Sequence, residues 1–133
     1  MKAKEISLYE FLQLVIIRMV ECKIDLPRNN RVWCNALRRL VEHHGRSPVT
    51  AINKLRFDWD GQDPSCPNFE ETFQSFTTAG CIELQMPSGK YIPDPDVIEL
   101  WRNEWLKDKP SDTIKQCIQI LLESLEQEMS KRV

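Results

Sequence analysis

The chain has 133 residues, of which 41% are hydrophobic, and its net charge is −2. This size and apolar content suit one domain with a single core, so we treat residues 1–133 as one unit with a core over about 7–93 and a helical extension over about 95–131. The most apolar stretch, FLQLVIIRMV, is far shorter than the roughly 20 residues that cross a bilayer, and the chain shows no targeting pattern, so we expect a cytoplasmic protein that does not contact membranes.

The first helix is predicted over about residues 7–22. Its apolar residues recur at the i, i+3, i+4, i+7 spacing of one helical face. Ser7 and Glu10 have the spacing of a capping box. Further apolar residues, including Leu14 and Ile17, extend the apolar surface almost all the way round the helix. This helix is therefore either central to the core or shared with another chain.

A second helix is predicted over about residues 30–44, after a break at Pro27 and before Gly45. One of its faces is apolar, and the other is rich in arginine. The segment that follows is expected to begin a brief helix near Ser47, with Pro48 at its first position.

The stretch FDWDGQDPSCPN leads into the next helix. Phe57 and Trp59 alternate with aspartates, which is the period of an extended segment with both aromatic residues buried on one side. The glycine and prolines that follow indicate a turn-rich connector. Asn68, with a glutamate three residues later, has the pattern of an N-cap. The helix that it opens carries three phenylalanines and ends at Gly80.

A β-hairpin and two further helices complete the predicted fold. CIELQM and KYIP flank a P-S-G turn signal and are predicted to pair as two strands. Asp94 before Pro95 has the pattern of a capped helix start. The inward face of that helix is predicted to consist of Val97, Leu100, Trp101 and Trp105. The last helix follows Pro110, and the fold class is therefore mainly α with a small β-hairpin.

The last helix carries one apolar stripe near the chain end, where few partners remain within the chain. A lone helix of this length is marginal in water, so the stripe must pack on its own domain or on a second copy. Two-fold pairing is the commonest assembly of small domains. We therefore predict a homodimer whose interface is formed by Ile118, Leu122, Leu125 and Met129.

Charge is distributed unevenly along the chain. Residues 23–56 hold eight basic groups and two acidic ones, whereas residues 57–106 hold ten acidic groups and two basic ones. The two segments could bind partners of opposite charge, or they could pair with each other inside the fold. The candidate binding face, which we call the basic face, consists of Arg28, Arg31, Arg38, Arg39, Arg46, Lys54 and Arg56.

The aspartates Asp58, Asp60 and Asp63 echo the start of an EF-hand calcium loop. When the loop is started at Asp58, its twelfth position, where a bidentate glutamate is needed, falls on Phe69. A loop that starts at Asp60 has Glu71 at that position but lacks the ligand and the glycine at its centre. The acidic connector is therefore interpreted as structural, with carboxylates that complement the following helix dipole.

No other pattern indicates a catalytic centre, a metal site or a cofactor. His43, His44 and Cys66 lack the short ligand spacing of a structural zinc site. The five cysteines are odd in number and include no C-x-x-C pair, which favours reduced thiols over disulfides. A Cys–His nucleophile pair would have to be assembled wholly by the fold, and phosphate-binding, dinucleotide-binding and serine-hydrolase motifs are absent from the sequence. We expect a non-enzymatic protein.

The order of elements resembles that of a winged-helix domain. More narrowly, FDWDG followed by NFEETFQSFTTAGCIEL and KYIP is similar to the pattern of Panacea-type, antitoxin-like regulatory domains over about residues 8–93. Phe76 stands where such families often place leucine, and their Gly-Pro dipeptide is replaced by Gly61 and Pro64 with an insertion. The resemblance implies a regulatory or protein-interaction module.

Nucleic-acid binding is the alternative to protein interaction. A winged helix that binds DNA places its third helix in the major groove, where basic and amide side chains read the bases. The corresponding segment, NFEETFQSFTTAG, has two glutamates and no basic residue, so phosphate repulsion opposes that docking mode. The alternative is therefore a transcriptional regulator that uses the basic face.

Overall fold

A computed structural model of the chain describes residues 6–27, 29–44, 52, 54–60, 63–107 and 109–131. The helices in these residues are α1 (Leu8–Glu21), α2 (Asn30–His44), α3 (Pro67–Thr78), α4 (Pro95–Lys107) and α5 (Asp112–Lys131). The strands are β1 (Asp58–Asp60), β2 (Asp63–Ser65), β3 (Ile82–Gln85) and β4 (Lys90–Pro93). The predicted class, mainly α with a small β-hairpin, is confirmed. The brief helix predicted to start near Ser47 lies outside the described residues.

Helix α1 begins with the predicted capping box. The Glu10 backbone N–H donates to Ser7 Oγ, and the Ser7 N–H donates to Glu10 Oε1, both at 3.1 Å. Phe11, Leu12 and Val15 on one face are fully buried, and the residues that widen the apolar surface, such as Ile16, are buried too. Of the two alternatives for α1, the structure supports a helix that is central to the core.

Helix α5 packs chiefly on α2 and also contacts α1. As a result, Ile118, Leu122 and Leu125 are buried within a single copy of the chain, and Met129 is half-buried against the same core. The premise that these residues lack partners within the chain is not met, and the dimer interface itself stays a prediction. The stripe does find intramolecular partners, because the chain end returns across α2, and this long-range contact is not visible in the local pattern.

An aromatic layer joins α2, α3 and the hairpin. The ring of Trp33 stacks on that of Phe69 with centroids 5.1 Å apart, and Phe73 meets Tyr91 edge-on at 5.4 Å. Rings of this size contribute much of the area buried in a core, and edge-on or offset pairs favour one orientation. The layer therefore fixes α3 relative to both α2 and the hairpin.

Strands β3 and β4 form the predicted antiparallel hairpin, in which Leu84 lies opposite Tyr91. Tyr91 also makes an isolated antiparallel bridge with Leu26, which precedes α2. The hairpin is thus extended on its β4 side by one residue of the α1–α2 connection. Among the described helices, none is both long and apolar enough to cross a membrane.

The acidic connector has more structure than predicted. Asp58–Asp60 forms the extended segment, as expected, but Asp63–Ser65 is a second strand that pairs with it. The Ser65 hydroxyl donates to the Asp58 carbonyl oxygen at 3.3 Å. The predicted burial of Phe57 is partial, and the side chain of Trp59 lies outside the described atoms.

Helix α3 begins at Pro67, two residues earlier than an N-cap at Asn68 requires. Its N-cap is Cys66, followed by Pro67, whose fixed backbone angle suits the first helical position. The predicted cap at Asn68 is therefore wrong. The Asn68 side chain lies inside the first turn and accepts a hydrogen bond from the Arg56 backbone N–H at 3.1 Å, which fastens the segment before β1 to α3.

Replacing Asn68 with alanine should lower the free energy of unfolding by about 1 kcal/mol, because it removes one hydrogen-bond acceptor of the Arg56 N–H. Gln74→Ala, an exposed position on the same helix, is the matched control and should change stability by less than about 0.5 kcal/mol. Urea denaturation followed by circular dichroism measures both. Equal effects of the two substitutions would show that the side-chain tether contributes nothing.

Helix α4 is capped as predicted, since the Asp96 N–H donates to Asp94 Oδ1 at 2.9 Å. Its inward face is rotated from the predicted one. Ile98 and Trp101 are buried, whereas Leu100 is 57% exposed, so the inward position of Leu100 was predicted wrongly. The helix contacts the core along a narrow stripe, and an apolar side chain beside that stripe remains in solvent.

Candidate functional site

The structure distributes the basic face over two parts of the fold. Arg31, Arg38 and Arg39 lie on α2, whereas Lys54 and Arg56 lie in the segment before β1, and both of the latter residues are exposed. Arg28 and Arg46 lie outside the described residues. The basic face is therefore not one continuous helical surface in the part of the chain that the structure describes.

Arg39 is committed to a contact within the chain. Its Nη2 lies 2.9 Å from Glu128 Oε1 on α5, and its Nη1 donates to Gln127 Oε1 at 2.9 Å. The Glu128 side chain is only 7% exposed. The acidic partner of this arginine is thus in the last helix rather than in residues 57–106.

Arg38 is also paired with a carboxylate. Its Nη1 lies 2.8 Å from Glu42 Oε1, one turn further along α2. This pair and the Arg39–Glu128 pair neutralise two of the predicted binding residues inside the fold. A phosphate backbone would have to compete with the buried Glu128 carboxylate for Arg39, whereas the Arg38–Glu42 pair is exposed and opposes it only weakly.

A groove of about 450 Å³ lies between the C-terminal half of α3 and the hairpin. We call it the hairpin groove, and it is lined by Gln74, Thr77, Gly80, Ile82, Glu83, Leu84 and Tyr91. Its position follows from the end of α3. Gly80 has a φ of +79°, a left-handed conformation that disfavours other residues, and the Cys81 N–H donates back to the Phe76 carbonyl at 2.9 Å. This reversal folds β3 back alongside α3.

The hairpin leaves one strand edge open at the groove. The Asp94 N–H donates to the Cys81 carbonyl at 2.9 Å, and hydrogen-bonded positions alternate along an antiparallel pair. The peptide groups of Leu84 and Tyr91, which are opposite each other, therefore point away from the shared ladder. That of Tyr91 faces the bridge to Leu26. That of Leu84 faces outward, and no described strand pairs with it.

Two exposed apolar side chains, those of Leu84 and Met86, lie on or directly after β3, the strand with the open edge. Leu84 is 46% exposed and Met86, in the hairpin turn, is 73% exposed, while Ile92 is exposed on the opposite face of the hairpin. Isolated exposed apolar residues are ordinary on a protein surface, but a cluster beside a groove is typical of interaction sites. The hairpin groove therefore combines apolar area with unpaired backbone groups.

The segment that contributes the groove is acidic in composition, and Glu83 is the charged residue in the groove lining. Between the start of α3 and the end of α4 the chain has three basic residues, Lys90, Arg102 and Lys107. The same segment has seven carboxylates, namely Glu70, Glu71, Glu83, Asp94, Asp96, Glu99 and Glu104. This charge repels nucleic-acid phosphates and attracts basic partners.

The buried thiols are not arranged as activated nucleophiles. Burial raises the pKa of the Cys34 thiol to about 12, and the neighbouring Cys66 contributes in the same direction. Burial likewise raises the pKa of Cys66, and burial together with the Asp94 carboxylate raises that of Cys81. A thiol with a raised pKa is protonated at neutral pH and reacts slowly. None of these three cysteines has the electropositive setting of a catalytic thiolate.

The residues considered for calcium or zinc are only partly described, because the side chains of Asp60 and Asp63 lie outside the described atoms. Asp58 lies opposite Ser65, and Asp60 lies opposite Asp63, in paired strands rather than in a calcium-type loop. A search of the described residues finds no group of three or more histidine, cysteine, aspartate or glutamate side chains positioned to hold a metal ion. The side chains of His43 and His44 lie outside that description.

Sequence reasoning missed the hairpin groove. The alternation in IELQ placed Ile82 and Leu84 on the same face, and only the structure shows that α3 covers the first and leaves the second half-exposed. Met86 in a turn was the one local signal, because a large apolar residue in a solvent-exposed turn has no packing role. Comparisons with protein-family models, with curated proteins and with solved structures find no match to this chain.

Proposed function

We propose that the chain is a non-enzymatic, winged-helix-like regulatory module that binds a protein partner at the hairpin groove. The observation that carries the proposal is the groove itself, which is lined by the half-exposed Leu84 and by Glu83. The open edge of β3 lies beside it, and the exposed Met86 follows β3 in the hairpin turn. The element order supports the winged-helix assignment, as does the bridge between Leu26 and Tyr91, which adds a strand position ahead of α2 to the hairpin.

The groove favours a partner segment with both apolar and basic side chains. Apolar side chains would cover Leu84 and the neighbouring Met86, and a basic one would meet the Glu83 carboxylate, which lines the groove. An extended segment could in addition pair with the outward peptide group of Leu84, as in the addition of a strand to a sheet edge. The acidic face of α3 disfavours nucleic acid at the same place.

We propose a cytoplasmic location, in keeping with the free thiols of all five cysteines. Self-association stays a prediction, and burial of Ile118, Leu122 and Leu125 within one chain disfavours these residues as its surface. DNA binding through Lys54 and Arg56, which remain exposed, is the alternative that the experiments below separate from protein binding.

Paired substitutions test the groove without changing charge. Leu84→Ser with Met86→Ser removes apolar area at the groove, and Leu100→Ser with Leu106→Ser removes a comparable area from exposed sites on α4. Capture of proteins from nuclease-treated extracts of the source cells by each tagged variant is the measurement. We expect the groove variant to capture about tenfold less partner than the unmodified chain, because central apolar contacts dominate interface energies.

The α4 variant should capture as much partner as the unmodified chain does. Equal capture by the groove variant and the unmodified chain would contradict the proposal, as would equal losses in both variants. Proteins that the unmodified chain captures from untreated extracts but not from nuclease-treated ones would favour the nucleic-acid alternative.

A further inference from the structure

A second cavity lies on a different part of the molecule, between the C-terminal half of α1 and the start of α5. This α1–α5 cleft has a volume of about 450 Å³, which is within the range of about 300–1,000 Å³ that is usual for small-molecule sites. Its floor is apolar and consists of Leu14, Ile17 and Ile118, with Pro110 at one side. None of its lining residues belongs to the hairpin groove.

The rim of the cleft is polar and carries more positive than negative charge. Arg18 and Glu21 come from α1, whereas Lys115 and Gln119 come from α5. The Arg18 and Glu21 side chains are about half exposed, and their charged atoms are 3.8 Å apart, so the pair is loose. Lys115 forms no ion pair with any described residue. Exposed pairs of this kind contribute little to stability, and they remain available to a ligand.

The two parts of the cleft point to one chemical class of ligand. The floor has no polar side chains, so it accommodates an alkyl or aryl group of a ligand and offers no side-chain hydrogen bonds to a polar one. The Lys115 ammonium and the Arg18 guanidinium lie on the same rim and match an anionic head group, for which we take a carboxylate. The charge at this rim is opposite to the overall net charge of the chain, −2.

We propose that the α1–α5 cleft binds an amphipathic carboxylate with a medium-length alkyl chain. The chain lies on Leu14, Ile17 and Ile118, and the carboxylate is bound by Lys115 with support from Arg18. The site is independent of the proposed partner groove, so either proposal stands if the other fails.

Decanoate is the probe for this site, and titration followed by amide NMR shifts is the measurement. We expect saturable shifts confined to residues of α1 and α5 around the cleft. Lys115→Gln should weaken binding about tenfold, which is the usual order for loss of one charge-assisted contact. Lys107→Gln, which removes an exposed lysine from the end of α4, is the matched control and should leave the affinity unchanged.

Decanol and decylammonium separate the carboxylate from the alkyl chain. Both should bind at least about tenfold more weakly than decanoate, because they lack the negative head. Affinity of decanol equal to that of decanoate would overturn the proposal, since it would show apolar binding only. Absence of saturable shifts, or a sedimenting dimer whose contacts cover the cleft and exclude decanoate, would overturn it as well.

Discussion

Leu125→Asp is expected to abolish folding. Leu125 is fully buried where α5 packs against the rest of the core, and an unpaired carboxylate there costs a large part of the roughly 5–15 kcal/mol by which a domain of this size is stable. If Leu125 lay at a dimer interface, as the sequence pattern predicts, an acid there would instead release a monomer with an intact core. The burial of Leu125 within one chain reverses that expectation.

Two further variants make the test specific. Leu125→Ala should remain folded but lose about 2–5 kcal/mol, the usual range for a buried leucine. Gln116→Asp, which introduces the same acid at an exposed position of the same helix, should change stability by less than about 0.5 kcal/mol. Urea denaturation and sedimentation report the outcomes. A cooperatively folded Leu125→Asp monomer derived from a dimeric parent would restore the dimer interface and contradict the packing of α5.

Arg39→Met is expected to lower the free energy of unfolding by about 3 kcal/mol. The substitution removes the Arg39 guanidinium from the Glu128 carboxylate, which is only 7% exposed, and breaking a buried pair from one side typically costs about 3–5 kcal/mol. We take the lower end because Arg39 itself is about one-third exposed. The measurement is again denaturant-induced unfolding.

Two controls separate the ion pair from a general loss of arginine. Arg18→Met removes a guanidinium whose partner is 3.8 Å away and exposed, and it should cost less than about 0.5 kcal/mol. Arg39→Met combined with Glu128→Leu should recover much of the lost stability, since an apolar pair often replaces a buried ion pair without penalty. Equal losses of stability in Arg39→Met and Arg18→Met would show that the Arg39–Glu128 pair does not stabilise the fold, so that Arg39 would be available to an external partner.

Local features of the fold were predictable because short-range chemistry determines them. The capping box of Ser7 and Glu10 requires residues three apart, and Asp94 before Pro95 specifies a helix start by the same kind of neighbour interaction. The prediction of an N-cap at Asn68 was wrong even though it also rested on neighbouring residues. Pro67 fits the first helical position as well, and α3 therefore starts closer to the N-terminus, at Pro67. Two compatible local signals one residue apart cannot be ranked without the surrounding contacts.

Long-range features were not predictable from periodicity. Arg39 contacts Gln127 across 88 positions of sequence, and the stripe on α5 has the same appearance whether it meets α2 or a second chain. The hairpin groove depends on how far α3 covers β3, which decides that Ile82 is buried and Leu84 is half-exposed. The sequence gives the net charge of each segment directly, but which acidic residue pairs with which basic residue depends on the fold.

Site-specific photo-crosslinking tests the central claim most directly, namely that the hairpin groove is a protein-binding site. A photo-crosslinking amino acid would replace Leu84 at the groove, Leu106 on α4 or Arg56 on the basic face, and each variant would be irradiated in the source cells. We expect a discrete protein adduct from position 84 and no comparable adduct from position 106. Equal protein adducts at positions 84 and 106, or a nucleic-acid adduct at position 56 with none at 84, would contradict it.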